Sequence, residues 1–234
     1  MGDSLAPTSF SEVQTSKKGL LLVDKPVGPT SHDVVAWARK VFQVRKIGHT
    51  GTLDPLASGM LILLISRDFT KLQTQLLKQD KTYRVTAELG LTSTTYDSLG
   101  EISKSVVREQ PTKDELGVVL EQYIGEIDQE VPAFSAVKVG GKKLYTLARC
   151  NNATMPILPI RKVNITKIDL LDYTWPFVTL RIDCSSGTYV RSLINDLGKK
   201  LGIGAVVSAL RRERIGSFLL EQVSICPYFI SRHH

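Results

Sequence analysis

Gly48-His49-Thr50-Gly51-Thr52-Leu53-Asp54-Pro55-Leu56-Ala57-Ser58-Gly59 runs without a break into the apolar stretch Met60 to Ile65. The pattern is a glycine-punctuated loop that feeds a buried strand. Glycine permits backbone conformations and close approaches that a Cβ forbids, and Pro55 fixes its own φ while restricting Asp54 to extended or turn geometry. Asp54 is therefore held in place rather than dangling. A carboxylate posed by a stiff turn at the mouth of a core strand suits catalysis, and an aspartate before proline is also ordinary turn-capping material.

Outward from this loop, Gly19 to Val23 reads as a short strand, followed by the turn Asp24-Lys25-Pro26-Val27-Gly28-Pro29. Val34, Trp37, Ala38 and Val41 then fall at helical spacing, with Ser31 or Asp33 as the N-cap. Beyond the loop, 68–79 reads as one helix and 81–90 as an alternating strand. Thr112 and Glu115 form a capping box that opens a helix to about Ile124. Arg161 to Leu171 and Phe177 to Cys184 read as neighbouring strands, a helix follows from about Tyr189 to Leu201, and Ala205 to Leu210 reads as a further short helix. Helices and strands mixed without regular β-α-β repetition indicate an α+β fold. Residues 1–18, Ser/Thr-rich at their start, read as a flexible arm, and 19–234 as one domain.

At 234 residues and 42% hydrophobic the chain can bury a sizeable core, and its net charge of +7 calls for an acidic partner, with nucleic acid ahead of an anionic membrane. The three cysteines, Cys150, Cys184 and Cys226, lack C-x-x-C pairing, so neither a disulfide framework nor a zinc site is indicated. The four histidines form no metal-binding pattern, and His233-His234 reads as a residual tag. No apolar run reaches membrane-spanning length, and the first residues do not read as a secretion signal, which fits the reducing cytoplasm. A monomer is the expected state. Residues 126–158 form a basic insertion in which Lys138, Lys142, Lys143 and Arg149 alternate with Phe134, Tyr145, Gly140 and Gly141. Such a segment can follow an RNA backbone while its rings contact bases, or it can be a solvated hairpin.

The run Gly-His-Thr-Gly-x-Leu-Asp-Pro-x-Ala-x-Gly resembles the catalytic motif of the TruB family of tRNA pseudouridine synthases. Further blocks stand in the family's order over residues 19 to 219. They are Lys25-Pro26-x-Gly28-x-Thr30-Ser31, Lys81-Thr82-Tyr83-Arg84, Phe134-Ser135-Ala136-x-Lys138, Gly187-Thr188-Tyr189-Val190-Arg191-Ser192-Leu193 and Leu210-Arg211-Arg212. Three departures are visible. Thr94 stands where the family usually has an acid, Val131-Pro132 replaces a Pro-Pro pair, and 150–158 lacks the usual glycine-containing sequence. No separate C-terminal RNA-binding domain is expected after Phe218.

The resemblance implies a pseudouridine synthase fold, a largely antiparallel mixed sheet with flanking helices and a cleft, and it implies tRNA as partner, with uridine 55 of the T-loop as target. The reaction breaks the bond from ribose C1′ to N1, turns the uracil and bonds C1′ to C5, and needs no redox cofactor. Asp54 is then the nucleophile at C1′ or the base at C2′. Arg191 is its charge-assisted partner, and Tyr83 stacks on the uracil with its hydroxyl near the C5 proton. By the same resemblance His49 supports a flipped-out base, Tyr189 and Leu210 wall the pocket, Lys25 supports the loop or contacts RNA, and Lys138 and Lys142 grip the tRNA.

Two readings from other classes stand beside this one. A non-catalytic RNA-binding or RNA-folding module would use the basic surface without needing Asp54. A glycoside hydrolase would need a second carboxylate, for which Asp24 and Asp97 are available. The placement of the insertion has its own test. Neutralising Lys138, Lys142 and Lys143 together is expected to weaken tRNA binding and to flatten its salt dependence, by about one unit of slope for each phosphate that is no longer neutralised. Unchanged binding across a salt titration would contradict it.

Overall fold

The computed structural model describes residues 7–149 and 156–223. Two compact units emerge, one from residues up to Tyr83 and from Leu210 onward, the other from Arg84–Ala209. Sequence suggests a single domain, yet the unit boundaries fall inside two long strands.

The first unit opens with helix α1 (Phe10–Ser16), which enters the core where a flexible arm is expected. Ser9 and Glu12 form a capping box, Val13 is fully buried and Phe10 packs on Phe42 at 5.1 Å between ring centroids. Residues 1–6 of the expected arm lie outside the described residues. Strand β1 (Gly19–Lys25) follows, then α2 (Ser31–Phe42), whose N-cap is Thr30, not Ser31 or Asp33. Asp33 instead reaches back to the Thr30 N–H at 2.8 Å as the other half of the capping box, which leaves the Ser31 hydroxyl available for work elsewhere. Strands β2 (Ile47–His49) and β3 (Ala57–Ile65) bracket the Asp54 loop and pair antiparallel, and β1 lies antiparallel on β3's other side.

The run Met60 to Ile65 is apolar at every position because both faces of β3 are covered. Leu61, Leu63 and Ile65 pack with Val34 and Phe42, and Met60, Ile62 and Leu64 pack with Leu76, Ile215 and Phe218. The single helix expected over 68–79 is two short ones, α3 (Arg67–Thr70) and α4 (Gln73–Leu77). At Leu72 the N–H bonds back only three residues, to Phe69 O at 3.0 Å, and this tighter turn interrupts the ladder.

Strand β4 (Lys81–Leu89) carries the chain into the second unit. There β5 (Leu91–Ser93) and β6 (Ile102–Lys104) pair around the Thr/Ser-rich loop, and α5 (Lys113–Glu121) starts at the expected Thr112/Glu115 box. Strand β7 (Gly125–Glu130) pairs with β10, so residues 126–130 belong to a sheet rather than to the insertion. The remainder of the insertion is a two-residue hairpin, β8 (Lys138–Val139) with β9 (Lys142–Lys143), and α6 (Leu144–Ala148). Residues 150–155, with Cys150 and the insertion's far side, lie outside the described residues, as do Cys226 and His233-His234.

Strands β10 (Ile160–Thr174) and β11 (Phe177–Cys184) are the neighbours the sequence predicts, and α7 (Val190–Lys200) follows. In this unit the sheet order is β4-β11-β10-β7, with the first half of β12 on β4's other side. Residues 205–210, expected as helix, belong to strand β12 (Ala205–Ile215). The β-branched Val206 and Val207 are fully buried there, and Val207 is bonded through its backbone to Tyr96 and Ser98. Pairing and burial outweigh a helix-compatible composition.

On its return to the first unit β12 lies parallel to β3, with Leu210, Arg211 and Arg212 beside Ala57, Ser58 and Gly59, and β13 (Phe218–Leu219) closes onto its end. Each unit is thus α+β. Gly59 pairs with Lys25 on one side and Arg212 on the other, at φ +103° and against the Arg212 backbone. No side chain fits there. Gly59→Ala is expected to lower stability by about 1–3 kcal/mol through backbone strain and overpacking. Urea unfolding measures it, and a stability equal to the parent's would contradict the register given.

Candidate active site

Asp54 is half-buried, and its backbone is anchored on both sides. Leu53, just before it, donates its N–H to Ser31 Oγ at 2.8 Å and accepts from the same hydroxyl at 3.1 Å. One fully buried serine does for Leu53 what a neighbouring strand does elsewhere. Pro55, just after Asp54, accepts from the Gly28 N–H at 2.8 Å, and the Ala57 N–H closes a turn on the Asp54 carbonyl at 3.0 Å. Farther out, Arg212 donates to Gly51 O at 3.1 Å and to Met60 O at 2.8 Å.

The turn that supplies Gly28 is itself held by a charge. Lys25 is fully buried and donates to the carbonyls of Pro26 and Pro29, each at 2.8 Å. Of the two roles expected of it, support of the loop and contact with RNA, these bonds fit the first, because a side chain with no exposure holds the turn. Burial pushes its ammonium down to about 8. The Asp54 charge works against that push, Arg212 adds to it, and Asp33 opposes it more weakly. Lys25 and Asp54 therefore lie close enough for each to feel the other's charge.

His49 is half-buried, with its ring edge-on to His32 at 5.6 Å between centroids. Its Nδ1 is buried without a hydrogen-bond partner, and Gln73 holds its carbonyl at 2.9 Å. Burial, first, and the nearby His32 and Arg212 take its pKa down to about 4, against a weak opposing bond with the Gly51 backbone. It is neutral at physiological pH, a flat ring rather than a cation. Tyr83 and Leu210 lie in the same unit, each 9% exposed. Lys81 is buried and donates to the carbonyls of Leu77 (2.7 Å) and Gln79, whereas Arg84 is exposed. Asp24, the candidate second acid, faces Arg211 at 2.6 Å.

The second unit has its own polar centre. Arg191 is 4% exposed and donates to Thr95 O at 2.7 Å and to Phe134 O at 3.0 Å. Its Nε lies 3.6 Å from Asp97, whose other carboxylate oxygen accepts from Thr95 Oγ1 at 2.6 Å and from the Leu99 N–H at 3.1 Å. The loop that has Thr94 where the family usually has an acid thus carries an acid three residues farther on, Asp97. Tyr189, the N-cap of α7, is gripped by the buried Gln129, which accepts from its N–H at 2.7 Å and donates to its carbonyl at 3.1 Å. Lys138 and Lys142 stand exposed on the β8–β9 hairpin, and Lys143 and Arg149 approach the Tyr145 ring at 5.4 and 5.7 Å.

Sequence reasoning passed over Ser31 as a clamp, Arg212, Asp97 as the partner of Arg191, and Gln129. Ser31 and Arg212 stand inside recognised blocks but carry no local sign of their partners, which are 22 and more than 150 residues away. Among the described residues no group of His, Cys, Asp and Glu could hold a metal ion, and no helix is long and apolar enough to cross a membrane.

The profile of the TruB family pseudouridylate synthase N-terminal domain matches residues 39–190, and that of the tRNA pseudouridylate synthase B C-terminal domain matches residues 191–226. The tRNA pseudouridine synthase B of Protochlamydia amoebophila is 43% identical over 214 residues, 91% of this chain and 80% of its own. That of Mycobacterium tuberculosis H37Rv is 42% identical over 209 residues, 87% of this chain and 69% of its own. Among solved structures, a chain of a Cbf5-Nop10-Gar1 complex superposes with TM-score 0.68 and 30% identity over 94% of this chain. A chain of the archaeal box H/ACA sRNP Nop10-Cbf5 complex gives 0.63 and 29% over 87%. The present chain spans about half the length of those two, 56% and 49%.

The depressed His49 pKa has a consequence for stability. Between the usual histidine value near 6.5 and about 4, the unfolded chain takes up the proton first, so stability falls as pH falls through that window. His49→Gln is expected to lose less stability than the parent between pH 7 and pH 4.5 in urea unfolding. Parallel losses in the two proteins would contradict the buried, neutral ring.

Proposed function

Because the chain belongs to the TruB family of pseudouridylate synthases, we propose that it converts a uridine of tRNA to pseudouridine, with uridine 55 of the T-loop as the target. The supporting observation is the Asp54 loop, in which Leu53 and Pro55, on either side of the carboxylate, are tied by hydrogen bonds to a separate segment of chain. A turn-capping aspartate needs no such surroundings. A carboxylate that must meet one carbon of a ribose does, since small displacements of a reacting group carry large rate penalties.

The reaction balances without a co-reactant. The C1′–N1 bond breaks, the uracil turns, C1′ bonds to C5, the C5 proton leaves and N1 gains one. Asp54 acts in the first step, by attack at C1′ or by taking the C2′ proton, and the two routes share the same demand on its position. Tyr83 stacks on the uracil, and its hydroxyl serves the C5 proton. His49, neutral and flat, supports the flipped state of the base, with Leu210 and Tyr189 as apolar and aromatic walls. Arg191 serves as a rigid guanidinium whose orientation is set by Asp97 and by the Thr95 and Phe134 carbonyls. Lys138 and Lys142 engage phosphates. The enzyme works as a cytoplasmic monomer without metal or cofactor.

Asp54→Asn tests the centre of this reading. The amide keeps the shape and hydrogen-bonding reach of the side chain and removes its charge and basicity. The variant is expected to fold and to bind tRNA like the parent, yet to form no pseudouridine with enzyme in excess over RNA. Single-turnover conditions exclude product release as the cause, and binding on the same preparation excludes misfolding. Substantial product from the folded variant would defeat the role of Asp54. For the parent on a bare tRNA transcript, pseudouridine, unchanged RNA and released base separate the synthase from a binding module and from a glycoside hydrolase.

A further inference from the structure

Arg212 is 1% exposed, so it contacts no RNA, and among the described residues no carboxylate pairs with it. A buried guanidinium without a counter-charge is expensive unless its donors are used by well-placed acceptors. Here Nε donates to Met60 O at 2.8 Å and Nη2 to Gly51 O at 3.1 Å. Those two carbonyls mark the exit and the entry of the segment that carries Asp54. The side chain therefore closes the loop at its neck, and it does so from a strand about 150 residues downstream.

The surroundings fit that task and not a general packing role. Residue 59, beside Arg212 in the parallel register, is glycine at φ +103°, and an added methyl would run into the Arg212 backbone, so the two strands meet as closely as backbone permits. The charge of Arg212 reaches both Lys25 and His49, the two ionisable side chains that flank the same loop. A planar fork presents two donors at a fixed spacing, which fixes the separation of two carbonyls in a way that a single-point cation does not.

The geometry points to Arg212 as a positioning residue for catalysis, a clamp across the neck of the Asp54 loop that sets where the carboxylate stands. The inference rests on the reading of Asp54 as the reacting carboxylate. It predicts a rate effect separate from substrate affinity and from overall stability, because the clamp touches neither RNA nor the reacting atoms.

Arg212→Lys retains the buried charge and loses the fork; Arg212→Gln and Arg212→Met remove the charge as well. Each variant is compared with the parent and with Asp54→Asn for tRNA affinity, single-turnover pseudouridine formation and amide hydrogen exchange over residues 50–60. For Arg212→Lys the expected result is a single-turnover rate down about tenfold or more, tRNA affinity within about threefold of the parent, and faster exchange in the loop with β1 unchanged. A rate within twofold of the parent would overturn the clamp. So would a rate loss matched by an equal loss of affinity, and so would failure of all three variants to fold, which would make Arg212 a residue of the fold alone. An inactive parent would instead overturn the synthase reading. A parent that is active while Asp54→Asn is not keeps that reading intact whatever Arg212 does.

Discussion

The constraint on which the first unit depends is the hydrogen bonding of the backbone around Asp54. The Asp54 loop, between β2 and β3, has no sheet ladder of its own, and buried peptide groups without partners each carry a penalty of about 1–3 kcal/mol. Side chains and a turn from elsewhere supply the missing partners: Ser31 to Leu53, Gly28 to Pro55, Arg212 to Gly51 and Met60. The segments that provide them belong to two of the family's other motifs, the Lys25 to Ser31 block and the Leu210-Arg211-Arg212 block. Those two read in sequence as separate blocks, and in the fold they join the Asp54 loop in one scaffold.

Two of the supporting groups are buried cations, and their cost explains their arrangement. Lys25 and Arg212 flank Gly59 in adjacent strands, each facing carbonyl oxygens, and the strain of that placement shows in the Lys25 ammonium, pushed down to about 8. Hydrogen bonds to a charged donor contribute about 1.5–3 kcal/mol each, so two bonds apiece offset much of the cost of burying such groups. Asp54 is the anion that opposes the loss of the Lys25 charge. The scaffold thus places positive charge beneath the loop while keeping it out of solvent, where it would be screened.

Much of this was legible in the sequence and some of it was not. The strand 57–65, the Thr112/Glu115 cap and the helix after Tyr189 carry local signals, namely an unbroken apolar run, a capping box and helical spacing, and they appear where those signals place them. Helix α1 carried a signal too, the Ser9 and Glu12 box, masked by a polar composition that resembles an arm. The strand at 205–210 lacked one, because its state is decided by pairing with β4 and with the 96–98 loop and not by its own composition. For the candidate site, Asp54, Tyr83, His49 and Arg191 were singled out through their motifs. Lys25 was left between supporting the loop and contacting RNA, since its carbonyl partners are seen only in the fold. Asp97 was read only as an available second acid, because its pairing with Arg191 is defined only by folding.

The same device appears in the second unit, and the repetition says what kind of problem is being solved. Gln129 grips both the N–H and the carbonyl of Tyr189, as Ser31 grips those of Leu53, and in each case a buried side chain imitates a neighbouring strand beside a residue assigned to the reaction. In the proposed reaction orientation comes from the polypeptide, and a loop held only by its own turn fluctuates by more than the few tenths of an ångström that productive geometry tolerates. Clamping the peptide groups next to the functional side chains removes that motion at its source, and a backbone so fixed serves a carboxylate that, in the proposed reaction, must first engage a ribose and then release it.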